Sequence, residues 1–337
     1  SMAGLRGFEK GGSVTDAMIA TSACLAVVVP HATSLGGDAF IIHHNAKSGT
    51  TEGLNASGPA PAGATPDIFA DGMVEHGPLA ASVPGMVRGW ERLHQRHGKL
   101  SWGELFHSAI DIAGNGHPLS RVLANGLGLF HEAVSGDPGC SNLYMPSGVP
   151  LKAADIVKQP ALAESLQAIA EGGSAAYYEG AIAQSIGAYS QANGGLLGAA
   201  DFEGYEPEWV EPLATDYRGL DVRVMPPNSF GLLMLMQLNA LSGIPSDALN
   251  GDEADRLCHL IAAARQSFAE GRHHICDPRA QPAPLDELLG PAMTAKLQRA
   301  VREAAPGQLQ PADVGGTSTI ALADGEGNAI SVVQSVF

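Results

Sequence analysis

The segment Gly325-Glu326-Gly327 constrains this chain more than any other part of it. It separates two arms of β-forming composition, Thr317 to Asp324 and Asn328 to Phe337. A loop this short permits one antiparallel register. Asp324 then faces Asn328, and Thr317 falls opposite Ser335. Two hydroxyls paired in this way have Cβ atoms roughly 4.5–5.5 Å apart. β-propensity is high in the returning arm, Ala329-Ile330-Ser331-Val332-Val333. Upstream, Gln308 to Gly316 is polar, contains Pro and Gly, and reads as a loop.

A Thr that opens a strand directly after Gly315-Gly316 has a specific chemical use. If the Gly316–Thr317 bond is cut, Thr317 becomes a chain end. Its α-amine, with an ordinary pKa of about 7.7–8.0, can then accept the proton of its own hydroxyl. Nucleophile and base then reside in one residue. The cut can be self-inflicted: the Thr317 hydroxyl attacks the Gly316 carbonyl, the acyl group shifts from N to O, and water releases the ester. Glycines at 315 and 316 tolerate the backbone geometry such an attack requires. Taken alone, the same tripeptide also fits an ordinary loop entering a hairpin.

The rest of the chain reads as helix, hairpin and then mostly helix. Ser13 with Asp16 forms a capping box ahead of the apolar run Ala17 to Val29, which Pro30 stops. Ala39 to His44 and Thr50 to Leu54 read as strands joined by Asn45-Ala46-Lys47-Ser48-Gly49. Helical spacing spans Pro84 to His97 and Trp102 to Asn115, with Ser101 and Glu104 as a second capping box. Further helices fit 160–171, 175–193, 230–241, 253–270 and 291–303, and a short strand fits Leu220 to Met225.

Composition removes several function classes. With 19 Lys+Arg against 35 Asp+Glu, the net charge of −16 opposes binding to nucleic acid or anionic lipid. The most apolar stretch, Ala17 to Pro30, is shorter than the ~18–20 residues that span a bilayer. The four cysteines form no CxxC pair, which argues against a disulfide framework or structural zinc. The sequence holds no G-x-S-x-G elbow, phosphate loop or HExxH. The twelve histidines are scattered and read as solvated surface residues, so no metal is expected. No cofactor is expected either, because a terminal Thr carries its own base. The compartment, cytoplasmic or periplasmic, is left open.

Gly11-Gly12-Ser13-Val14-Thr15-Asp16-Ala17, followed by Val28-Val29-Pro30-His31-Ala32-Thr33-Ser34-Leu35-Gly36-Gly37-Asp38-Ala39-Phe40, resembles the opening of the gamma-glutamyltransferases. Tyr217-Arg218-Gly219, Met225-Pro226-Pro227-Asn228-Ser229-Phe230-Gly231 and Asp277-Pro278 also match. The closing Gly316-Thr317-Ser318-Thr319 to Gly327-Asn328-Ala329 looks like the family's processing site and first small-subunit hairpin. The resemblance implies an N-terminal-nucleophile hydrolase: an α+β, four-layer αββα sandwich made as one precursor and self-cleaved at Gly316–Thr317. Residues 1–316 would be a large-subunit portion and 317–337 the start of a small subunit, both parts of one domain. Thr317 matches the family nucleophile and Ser335 the hydroxyl residue that hydrogen-bonds it. The chain stops inside the second arm of the hairpin, so it is expected to be a fragment or truncated product that needs the remainder of its own small subunit.

Two departures bear on substrate. The family carries an Arg within an acidic motif before Ala-Pro, and that Arg grips the substrate α-carboxylate. Here the segment is Asn55-Ala56-Ser57-Gly58-Pro59-Ala60-Pro61, with Ser57 at the Arg position and Gly58 at the following Glu position. An Asn normally lies two residues past the dyad hydroxyl, where this chain has Phe337. Asn55, Ser57 and Phe337 are therefore expected to line a more apolar acyl pocket, as in a cephalosporin acylase-like branch. The substrate class is a small amide or peptide. Nothing in the sequence places Arg88 or Arg218 where either would replace the lost cation. The competing expectation is a catalytically inactive homologue acting as a scaffold or binding protein.

Overall fold

The computed structural model describes residues 2–303 and 317–336. The chain divides into two compact units. The described residues of 1–49, 54–208 and 315–337 form one, and those of 50–53 and 209–314 form the other.

The first unit begins with two packed helices, α1 (Met2–Glu9) and α2 (Val14–Val28). The expected capping box is present: Ser13 Oγ accepts from the Asp16 N–H, and the Asp16 carboxylate accepts from the Ser13 N–H. α1 has no counterpart among the sequence expectations, because two glycines in eight residues weaken helical propensity. Those glycines permit close packing. A Cβ on Gly4 would lie 2.5 Å from Thr21 Oγ1, and one on Gly7 would lie 3.3 Å from Ala17 Cα.

Strands β1 (Asp38–Asn45) and β2 (Thr50–Ala56) follow, as expected. Next come α3 (Met86–His97), a 3-10 turn at Trp102–Phe106, α4 (His107–Asn115) and α5 (Pro160–Gly172). The single helix expected over 175–193 is two helices, Ala175–Tyr178 and Ala181–Ala192, because Gly180 is extended between them.

In the second unit, strands β3 (Leu213–Tyr217) and β4 (Leu220–Val224) form a hairpin. It turns on Arg218 and Gly219, with φ of 57° and 84°. Sequence pattern points only to its second strand. Three helices, α6 (Gly231–Leu241), α7 (Glu253–Gly271) and α8 (Pro291–Arg302), bury Leu232, Leu233, Met236, Ala263, Leu297 and Val301 in one core.

Strands β5 (Thr317–Ala323) and β6 (Ala329–Ser335) complete the first unit. The sheet order there is β2-β1-β6-β5, and β6 is antiparallel to both of its neighbours. On its inner face Ala39, Ile41, His43, Ile330, Val332 and Gln334 are buried. Ser22 of α2 donates its hydroxyl to Gln334 Oε1, which ties the helix to β6. The α+β class expected from the sequence is the one observed, and the five-stranded sheet holding these strands is the largest among the described residues. Among those residues no helix is long and apolar enough to cross a membrane.

Asp16 anchors the helical layer. It is fully buried, and its Oδ2 accepts from Ser13 N, Ser13 Oγ, Lys99 N and Leu100 N at 2.7–3.2 Å. Removing the carboxylate leaves those donors without their acceptor. Asp16→Ala is expected to lower unfolding free energy by about 3–5 kcal/mol, read as a drop in urea midpoint. A midpoint within error of the native protein would contradict the assignment.

Candidate active site

The β5–β6 turn fixes the site. Asp324 Oδ1 accepts from the N–H groups of Glu326 and Asn328, both at 2.9 Å, and Oδ2 accepts from Asn328 Nδ2 at 2.8 Å. Gly327 lies at φ +88°, where a side chain would be strained. Asn328 Oδ1 also accepts from Ala46 N at 3.0 Å, so the turn is held to the β1–β2 loop.

From that turn the pairing runs in the expected register, and Thr317 is the direct partner of Ser335. Their Oγ atoms are 3.3 Å apart, with Thr317 donating, which is long for an O–H···O bond. Ser335 is also the direct partner of Asp38 on β1. Directly opposed residues of antiparallel strands project from the same face. Asp38, Ser335 and Thr317 therefore form one row across three strands, on the face opposite the buried Gln334.

Sequence reasoning misses Asp38, because Gly36-Gly37-Asp38 reads as a turn. Its Oδ1 accepts from Gly58 N and Gly85 N, both at 3.1 Å. Burial outweighs those two hydrogen bonds and pushes the carboxyl up to about 7. Beyond it lies the Asn55–Gly58 segment. Asn55 Oδ1 accepts from both Ser57 N (3.1 Å) and Ser57 Oγ (2.7 Å), and the Ser57 carbonyl accepts from Tyr205 Oη at 3.3 Å. A Cβ on Gly58 would lie 1.5 Å from Val83 O, so no side chain fits there as the backbone stands.

The structure thus pairs Thr317 with Ser335 and holds Asn55 and Ser57 against each other two strands away. Gly316 and Phe337 lie outside the described residues. Arg88 is buried, with its guanidinium 4.6 Å over the Tyr178 ring and its Nη2 3.3 Å from Glu179. Arg218 is committed elsewhere, donating to Ser246 Oγ and to the carbonyl of Ile244.

One histidine differs from expectation. His43 is 4% exposed, on the inner sheet face, and stacks on His97 with ring centroids 3.9 Å apart. Burial and the neighbouring His97 lower its pKa to about 4. Of the histidines in this unit, His43 and His97 offer ring nitrogens within 4.8 Å of each other, close enough to share a metal ion.

The whole sequence, residues 1–337, matches the family model described as gamma-glutamyltranspeptidase. The chain belongs to the gamma-glutamyltranspeptidase family. It is 33% identical to the glutathione hydrolase-like YwrD proenzyme of Bacillus subtilis, covering 100% of this chain and 65% of that protein. It is 29% identical to the glutathione hydrolase proenzyme of Escherichia coli, covering 97% of this chain and 59% of that one. Among solved structures, the cephalosporin acylase of Bacillus halodurans superposes with a TM-score of 0.87 at 31% identity, over 99% of this chain and 63% of its own. The gamma-glutamyltranspeptidase of Helicobacter pylori gives 0.84 at 29% identity, over 92% and 90%. The chain therefore spans about 60–65% of the length of these curated relatives, and it has the fold of N-terminal-nucleophile hydrolases.

The position of Asp38 has a thermodynamic consequence. A carboxyl at about 7 in the folded state, against about 3.9 unfolded, makes the folded state bind more protons between those values. Stability falls as pH rises through that window, and the cost is complete above it. Asp38→Asn removes the cost while keeping an acceptor oxygen. The variant is expected to gain about 1–4 kcal/mol over the native protein at pH 8.5 and little at pH 4.5, measured by denaturant unfolding. A gap that does not grow with pH would contradict this.

Proposed function

We propose that this chain forms part of a self-processing acyltransferase or amide hydrolase in which Thr317 is the nucleophile. The observation that carries the reading is the direct pairing of Thr317 with Ser335, Oγ to Oγ at 3.3 Å, at the head of a strand. The relatives' designation as proenzymes supports a precursor that is cut.

Processing needs no other reagent than water. Thr317 Oγ bonds to the Gly316 carbonyl carbon, the C–N bond breaks, and the nitrogen takes up the hydroxyl proton. Water then hydrolyses the ester, leaving a carboxylate at 316 and a free hydroxyl and amine at 317. In turnover the α-amine accepts the Thr317 hydroxyl proton as Oγ attacks the substrate amide. That proton passes to the leaving amine, and water or a second amine releases the acyl group from Oγ. Ser335 holds the Thr317 hydroxyl in line.

The acyl group is proposed to lack the α-amino-acid head of glutathione. Ser57 has no charge to offer a carboxylate, its own N–H and hydroxyl both go to Asn55, and Arg88 is engaged with Tyr178 and Glu179. In the full-length protein, glutaryl p-nitroanilide is expected to turn over at least tenfold faster, in kcat/KM, than its gamma-glutamyl counterpart. Ser57→Arg should narrow or reverse that ratio. Strong native gamma-glutamyl release that depends on the α-carboxylate would overturn the specificity reading.

Thr317→Ala is expected to leave one unprocessed band on a denaturing gel, and Thr317→Ser to restore slower cleavage. If the Ala variant still splits at the same bond, Thr317 is not the processing residue. A native protein that stays whole would favour a non-catalytic scaffold.

A further inference from the structure

Gly58 and Gly85 lie 27 residues apart in sequence, yet one oxygen accepts from both backbones, Asp38 Oδ1 at 3.1 Å each. Gly85 also donates to the Gly37 carbonyl at 3.1 Å, and it is the residue from which α3 starts. The Asn55–Gly58 segment begins on β2, which pairs with β1 in the sheet, and it is also held by Asn55 on Ser57, by Tyr205 on the Ser57 carbonyl, and by Val83 packed where a Gly58 side chain would be. Beyond Ala56, where β2 ends, none of those side-chain contacts reaches the strand pair that bears Ser335. Asp38 does, because it is the direct strand partner of Ser335 and projects from the same face as Thr317.

We propose that Asp38 is a positioning residue that registers the Asn55–Gly58 segment to the Thr317–Ser335 pair and so sets the affinity for the acyl group. The inference rests on Thr317 being the nucleophile. Asp38 touches neither Thr317 nor, in this reading, the substrate. It acts through the Gly58 backbone, where its acceptor oxygen and reach matter and its charge does not. Losing it should let the segment drift by fractions of an ångström and weaken acyl binding while leaving bond-making at Thr317 intact. Processing at 316–317 is intramolecular and needs no acyl pocket, so it should persist.

The experiment is steady-state kinetics of the full-length processed protein on glutaryl p-nitroanilide, with the gamma-glutamyl compound in parallel. Native protein is compared with Asp38→Ala, Asp38→Glu and Asp38→Asn, and processing is followed by mass spectrometry. Asp38→Ala is expected to raise KM at least tenfold with kcat within threefold and complete processing. Asp38→Glu, which keeps the charge but moves the oxygen, should raise KM similarly, and it carries the test if the Ala variant does not fold. Asp38→Asn should restore KM to within threefold of native. The proposal is overturned if Glu or Ala leaves KM unchanged, if kcat collapses instead of KM, or if Asn behaves like Ala. A native chain that is never processed would sink the Thr317 reading itself, and it would be visible before any variant is made.

Discussion

The antiparallel register of β6 carries the rest of the site. Along that strand Gln334 points inward, fully buried against Ser22, and Ser335 points outward toward Thr317. A slip of one residue would exchange them, burying a serine and expelling a glutamine whose side chain is anchored to α2. The Asp324–Asn328 turn and the Gln334–Ser22 contact therefore oppose slippage from opposite ends of the strand. Both hydroxyls of the proposed dyad inherit their separation from that arrangement.

The two faces of the sheet have divided roles. The inner face buries Ala39, Ile41, Ile330 and Val332 together with His43 and Gln334, and it packs under the capped helix α2, whose Asp16 Oδ2 accepts from four donors. The outer face presents Asp38, Ser335 and Thr317 in sequence across three strands. A rigid inner layer suits a chemistry that depends on sub-ångström placement of one hydroxyl. Beside that row, Asp38 Oδ1 accepts from Gly58 N and Gly85 N, and Asn55 and Tyr205 hold Ser57.

What is legible in the sequence is local. The three-residue turn dictates Thr317 opposite Ser335, and the Ser13/Asp16 and Ser101/Glu104 capping boxes mark real helix starts. What is hidden depends on distant partners or on residues used against their usual habit. Asp38 reads as a turn residue until Gly58 and Gly85, 20 and 47 positions away, are seen to donate to it. The β3–β4 hairpin escapes sequence reasoning because its turn places an arginine, not Asn or Asp, at positive φ beside Gly219. His43 reads as a surface residue only while its strand's inner face is unknown; the alternation that buries Ala39 and Ile41 buries it as well.

Sequencing the amino terminus of the smaller fragment of the mature, full-length protein tests the central claim most directly. The account predicts that it begins Thr-Ser-Thr-Ile-Ala-Leu, from Thr317 onward. A mature protein that remains one chain, or one cut at another bond, would contradict it.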